Sequence, residues 1–332
     1  MNISLIICTY MRPHSVETLL GSIQDQVRRP DQIIIVDGST NRLTHELIAE
    51  KFKDEVTYYL VEAEHRGLTR QRNFGLSKVD PRSDVISFLD DDTVLSANYF
   101  QVLEKAFAED NTIVGVGGVA INENRWSKQP LEHCVTSNDV YCWENYQIKE
   151  SLRNRLRNKL GLQSKLPPGQ FPEFSHGRTF SYPLTGKMYP VDLLIGMSMA
   201  FRASVFKQLH FSLYFDGYGL YEDADFSLRA RRLGKLMMHT GLQLEHHHEP
   251  SGRPNQYKYG RMVVRNGWYV WRVGYPKPSF KARLKWHQIS LLLMFIRFTN
   301  IITGPKRMQA LTESLGRLTA WIQLWFIKPR EK

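Results

Sequence analysis

Two acidic clusters dominate the chemistry open to this chain of 332 residues. Asp90, Asp91 and Asp92 come directly after an apolar run, Val85 to Leu89. Glu222, Asp223 and Asp225 come much later and open a segment that reads as a helix. One acidic cluster at the end of a strand can be simple solvation. Two of them, each beside a well-formed element, suggest that one holds a divalent cation and the other moves a proton. Carboxylates two positions apart in an extended turn can both face a crevice, where Mg2+ or Mn2+ would share them with phosphate oxygens and water. A carboxylate in the first turn of a helix is kept charged by the free amides there and can take a proton from an attacking hydroxyl. Competing readings are structural. Asp92 or Ser96 would cap the helix that follows, and Asp223 and Asp225 would be first-turn acids partnered by Arg229, Arg231 and Arg232.

The elements that must position these groups follow from hydrophobic periodicity. Strands are expected over 3–8, 32–36, 56–61, 85–89 and 114–121, with helices over 14–26, 43–52, 68–77 and 97–108 between them. Such alternation predicts an α/β fold with a mostly parallel central sheet flanked by helices. Ligands bind such sheets beyond the carboxyl ends of the strands, and Thr9, Asp37 and Asp90 all fall at those ends. No G-x-G-x-x-G or G-x-x-x-x-G-K-[ST] run is present, which weakens dinucleotide and P-loop readings. Residues 122–190 have poor periodicity, apart from a helix expected over 146–160, and read as an acceptor-side excursion. A helix over 222–233 and a strand over 236–244 close the body.

Several runs, in order, resemble family 2 glycosyltransferases. They are Ser4 to Pro13, Ile33 to Ser39, Arg72 to Leu76, Phe88 to Asp92, Gly196 to Arg202, and Glu222-Asp223. The resemblance covers about residues 3–250. It implies a GT-A fold, a nucleoside diphosphate-sugar donor, Mg2+ or Mn2+, and inversion at the anomeric carbon. By the same resemblance Asp92 ligates the metal and Asp90 lies near the ribose, while Asp91 is structural or supports the metal ligands from behind. Thr9 and Asp37 would lie where relatives hold the nucleotide, although one acid precedes Gly38 where many relatives show two. Asp223 is the expected general base. Glu222 is its rival, or orients the acceptor. The run Glu245 to Glu249 resembles the family's late histidine, which completes a metal site or meets the diphosphate. Spacing to Ser251 favours His246, and His248 can share its face. Arg72 has two readings, a guanidinium on the diphosphate or a surface ion pair.

Charge is unevenly placed. The net value is +11, yet residues 253–332 hold 16 Lys and Arg against Glu313 and Glu331, a net of +14. Around Trp286, Ile289 to Ile296 and Trp321 to Ile327, this mixture reads as amphipathic helices on an anionic membrane surface. Ordinary core helices or a homodimer contact are the alternatives. Neither apolar run is long enough to span a bilayer. The expected division is 1–252 as the catalytic domain, with a nucleotide-sugar half (1–121) and an acceptor half (122–252), and 253–332 as a basic helical tail. Cys8, Cys134 and Cys142 show no metal spacing or disulfide framework, which points to a reducing compartment. The first residues read as a strand rather than a signal peptide. Together these place the chain in the cytoplasm, peripherally on the inner face of the cell membrane, with a glycan or lipid-linked acceptor. Other functions weighed are a metal-dependent nucleotidyltransferase and a nucleic-acid-binding protein. The second has no zinc-finger, RNP or basic-zipper pattern to support it, so nucleic acid is not an expected partner.

Overall fold

A computed structural model describes residues 1–130, 134–249 and 254–330; Ser251 lies outside the described residues. The chain forms two compact units. One is Met1–Asn124 with Leu184–Arg253, and the other is Arg125–Pro183 with Pro254–Lys332. The second unit therefore joins the irregular middle of the sequence to the basic tail.

The first unit begins with β1 (Ile3–Thr9), α1 (Pro13–Gln24), β2 (Gln32–Asp37), α2 (Leu43–Lys51) and β3 (Thr57–Leu60). It continues with α3 (Leu68–Leu76), β4 (Val85–Asp90), β5 (Thr93–Leu95), α4 (Tyr99–Glu109) and β6 (Ile113–Ala120). After the excursion come β10 (Met188–Val191), β11 (Ser198–Arg202), α6 (Glu222–Ala230) and β12 (Lys235–His246). Among the described residues the sheet runs β10-β12-β6-β11-β4-β1-β2-β3, with β5 paired to β12. The ladders β1–β2, β1–β4 and β2–β3 are parallel, as strand–helix alternation requires. β11 enters antiparallel between β4 and β6, which makes the sheet mixed. Strand β1 is buried at both faces, which explains the continuous apolar run Leu5 to Cys8. Helix α4 shows the complementary pattern. Tyr99, Phe100, Leu103, Ala106 and Phe107 recur at helical spacing and face the core, leaving the polar positions outside.

The second unit holds β7 (Ser127–Lys128), β8 (Val140–Trp143), β9 (Tyr146–Lys149) and α5 (Leu152–Lys159). Its tail helices are α7 (Gln256–Gly274), α8 (Phe280–Thr303) and α9 (Arg307–Gln323). The expected helix over 146–160 is corrected: its first residues pair with β8 as a hairpin, and only the Arg- and Lys-rich remainder is helical. Tyr146 and Ile148 suit a strand, and Ser151 then starts the helix. Cys134 and Cys142 are bonded to each other, with Cα atoms 5.9 Å apart, contrary to the reading of three unpaired cysteines. The strand that carries Cys142 brings it beside Cys134, a closeness that spacing alone did not show. Trp286 is also corrected. It is buried, and stacks on Trp271 with centroids 5.2 Å apart and planes 7° apart. Trp271 and Tyr275 donate to the carbonyls of Glu173 and Phe171, which ties α7 to the excursion. Among the described residues no helix is long and apolar enough to cross a membrane.

Candidate active site

Register gathers the strand ends. Thr9 lies opposite Asp37 in the β1–β2 ladder, and Cys8 lies opposite Asp90 in the β1–β4 ladder. Because β1 has β2 on one side and β4 on the other, the chain reverses its direction of travel across the sheet here, the usual place for a ligand crevice.

The three consecutive aspartates have separate partners. Asp91 is buried and takes the Thr9 hydroxyl at 2.7 Å and Arg12 Nη1 at 2.8 Å. Burial lifts its carboxyl to about 6, against the pull of Arg12 and Thr9. The Glu249 amide donates to Asp92 Oδ2 at 2.7 Å, and His246 Nε2 lies 3.4 Å from Oδ1. Burial opposes ionisation of Asp92, but His246, the Glu249 amide and Arg12 outweigh it and hold the carboxyl at about 2. Capping does not account for this carboxylate, because α4 has Asn98 at its N-cap and no side-chain cap. Asp90 stays 35% exposed at its side chain. Burial raises its pKa, Arg72 opposes that, and Asp92 adds to it.

Asp90, Asp92 and His246 each offer a ligand atom, all within 4.8 Å of one another. Two carboxylates and an imidazole fit a divalent cation such as Mn2+, which would need phosphate or water to complete its shell. Asn122 grips the His246 backbone at both ends, donating to its carbonyl at 2.9 Å and accepting from its amide at 3.1 Å. Glu123 Oε1 lies 3.1 Å from His246 Nδ1, which leaves Nε2 toward Asp92, and 2.7 Å from His248 Nε2. A carboxylate on the far nitrogen of a metal-binding imidazole fixes its tautomer and orientation. Glu123 carries no local motif and was missed. It arrives because β6 and β12 run parallel, with Ala120 beside Leu244.

Arg72 is buried and does not reach a surface partner. It is hydrogen-bonded to Glu222, and its Nη2 lies 3.4 Å from the Gly196 carbonyl and 3.5 Å from Asp90. Its guanidinium also sits 5.2 Å from the Phe211 ring centre. It therefore links the strand that bears the aspartates to the helix that bears Glu222. Burial pushes the Glu222 carboxyl up to about 8, despite Arg72, and its Oε2 has no hydrogen-bond partner among the described residues. Asp223 is only half-buried; Oδ2 accepts the Gly196 amide at 2.9 Å and Oδ1 the Ala224 amide at 2.8 Å. A Cβ on Gly196 would stand 3.2 Å from Glu222 Oε1 and 3.4 Å from Arg72 Nη2, so the backbone approaches this closely because glycine is there. Asp225 is paired with Arg229, as the structural reading of that helix anticipated.

Thr9 and Asp37 are brought to the crevice end of the sheet, but their oxygens hold protein groups. The Thr9 hydroxyl goes to Asp91. The Asp37 carboxylate takes the Ser39 amide and the Tyr58 hydroxyl, each at 2.7 Å. Burial pushes the Cys8 thiol up to about 12, which keeps it protonated and inert as a nucleophile.

Residues 4–171 match the family described as Glycosyl transferase family 2. EpsH of Bacillus subtilis (strain 168), which carries a provisional glycosyltransferase name, is 22% identical over 208 residues. That match covers 61% of this chain and 56% of EpsH, so the chain spans little more than half of that relative. Among solved structures, the mannosyltransferase PcManGT from Pyrobaculum calidifontis, in complex with GDP-Man and Mn2+, aligns with TM-score 0.51 at 14% identity. The alignment covers 98% of this chain and 87% of that one. GalNAc-T7 with UDP, GalNAc and Mn2+ aligns with TM-score 0.54 at 16% identity, over 82% of this chain and 49% of that one. At such identities the likeness establishes the GT-A fold.

Proposed function

Since the chain belongs to glycosyl transferase family 2, we propose that it moves a sugar from a nucleoside diphosphate-sugar to an acceptor hydroxyl, with inversion. The observation that carries this reading is the convergence of Asp90, Asp92 and His246 at the carboxyl end of β4, on the same crevice as the N-terminus of α6. The solved relatives with UDP or GDP-Man and Mn2+ support a donor of that class. Asp90, Asp92 and His246 would hold Mg2+ or Mn2+, and a cation bound there neutralises charge on the departing diphosphate.

The chain's own residues supply the rest. Thr9 and Asp37 shape the nucleotide end through their bonds to Asp91, Ser39 and Tyr58 rather than through free oxygens. Arg72 keeps Glu222 and Asp90 in register; being buried among them, it serves as a positioning residue and not as a diphosphate ligand. Asp223 accepts the acceptor's proton as that oxygen attacks the anomeric carbon from the face opposite the diphosphate. Glu222 is less suited to this, because it is buried and bound to Arg72. The acceptor in this reading is a glycan or a lipid-linked chain met at the anionic inner face of the cell membrane.

A donor screen tests the proposal. UDP- and GDP-sugars with Mn2+ are expected to raise the melting temperature, since a ligand of the folded state alone stabilises it. Asp92→Asn should lose that rise and sugar transfer together. No stabilisation by any nucleotide-sugar, or unchanged Mn2+ response in Asp92→Asn, would overturn the assignment.

A further inference from the structure

Helix α8 is apolar on two opposite faces. Ala282, Trp286 and Ile289 are buried in the second unit. On the far side Phe280 is 75% exposed, Leu284 50%, Phe295 62%, Phe298 50% and Ile302 78%. At about 100° per residue, these five positions fall within an arc of roughly 60°. They form one stripe down the helix rather than scattered surface residues. A groove opens beside it, between Leu291 and Leu292 of α8 and Leu160 and Leu162. Isolated exposed apolar residues need no explanation, but an aligned stripe of aromatic and aliphatic side chains does.

Charge selects the occupant. Helix α8 contains no acidic residue, and exposed Lys281 and Arg283 flank the start of the stripe. Lys306 and Arg307 are exposed just past its end. A second copy of this chain would bring one net +14 segment against another, so self-association through the stripe is electrostatically opposed. An anionic surface that also accepts apolar side chains meets both demands. We propose that the α8 stripe is the membrane-contacting surface of this protein. The helix would lie in the headgroup plane of an anionic bilayer with Phe280, Leu284, Phe295, Phe298 and Ile302 inserted and the flanking Lys and Arg on lipid phosphates. This identifies the surface behind the membrane-facing part of the reading above, and it does not depend on which sugar is moved.

The test is co-sedimentation of the full chain with phosphatidylcholine vesicles, with and without phosphatidylglycerol. Binding is expected to require the anionic lipid and to weaken with salt. Phe295→Ser with Phe298→Ser should lower partitioning by about tenfold or more, from two lost aromatic insertions. Val27→Ser, at an exposed apolar site outside this helix, should change nothing. A nitroxide on Phe298→Cys, read by its accessibility to a lipid-soluble quencher, gives an answer even where the double variant folds poorly. Equal sedimentation of wild type and double variant, or a quencher-inaccessible label on vesicles, overturns the proposal. A concentration-dependent dimer abolished by the double variant would overturn it in favour of a second copy. Donor stabilisation by Mn2+ is followed in parallel. Its loss in the wild type would count against the transferase reading alone, and vesicle binding lost with donor binding intact concerns only the stripe.

Discussion

The two units spend their charged residues in opposite ways. The first unit has 20 Lys and Arg against 26 Asp and Glu, a net of −6. The second has 24 against 7, a net of +17. In the first, ionisable groups go inward: Asp91, Asp92, Arg72, Glu222 and Asp225 are all buried, Asp91 against Thr9 and Arg12, Asp92 against the Glu249 amide, Arg72 against Glu222, and Asp225 against Arg229. Burying charges costs several kcal/mol each unless they are paired, so their presence marks a place selected for something other than stability. In the second unit the tail packs on the Trp271–Trp286 stack, its buried charges are Glu150 with Arg178, Arg157, and Glu313 with Arg297 and Arg317, and most of the basic excess is outside. On the readings proposed above, the first unit holds the small charged ligands and the second presents the surface.

That contrast can be broken most sharply at Asp223. Asp223→Asn should cut sugar transfer by about 10²–10⁴-fold, the usual worth of a general base, with donor affinity within a few-fold of wild type. Calorimetric donor binding beside a transfer assay separates the two effects, and substantial transfer by the folded variant would shift the role to Glu222. Next is the aromatic core of the second unit. Trp286→Ala should cost about 3–5 kcal/mol of stability there. Urea unfolding is expected to show an early transition, with the Mn2+-sensitive transition left in place. A single transition that shifts as a whole would mean that the units do not unfold separately. The smallest effect is expected at Glu123. Glu123→Ala should weaken Mn2+ binding by about 10–100-fold, as for other carboxylates behind a metal-ligating imidazole. The same change made in His246→Ala should then add little, whereas additive losses would show that Glu123 acts elsewhere, for instance through His248.

Much of the first unit was legible because its signals are local. Val85 to Leu89 and Ile3 to Cys8 are apolar runs bounded by polar loops, and both are strands of the expected sheet. Asp90 and Asp92 were readable as a pair, as was Asp223 at the start of its helix. What escaped depends on distant parts of the chain. Arg72 looked like a ligand residue because sequence cannot show that Gly196 and Glu222 close over it. Glu123 and Asn122 were invisible for the same reason, since only the β6–β12 ladder carries them to His246. In the second unit, Tyr146 to Lys149 sits beside a basic helical run, and helix propensity there masked a strand that cross-strand pairing decides. The two-faced character of α8 was also hidden, because both of its apolar sets merge into one run along the chain.

The crevice, finally, is out of electrical balance by itself. Among the described residues, Asp90, Asp91, Asp92, Glu222 and Asp223 face two guanidinium groups, Arg12 and Arg72, and the His246 imidazole. Even with Glu222 protonated below about 8, four carboxyl groups stand against two guanidiniums and one imidazole, and burial raises the pKa of two of the four, Asp90 and Asp91. On the reading proposed above, a diphosphate arriving without a cation would face these carboxyl groups directly. The cation is therefore expected, on that transferase reading, to come first, or to arrive already joined to the nucleotide. The metal-free arm of the donor titration is where that compulsory sequence would reveal itself.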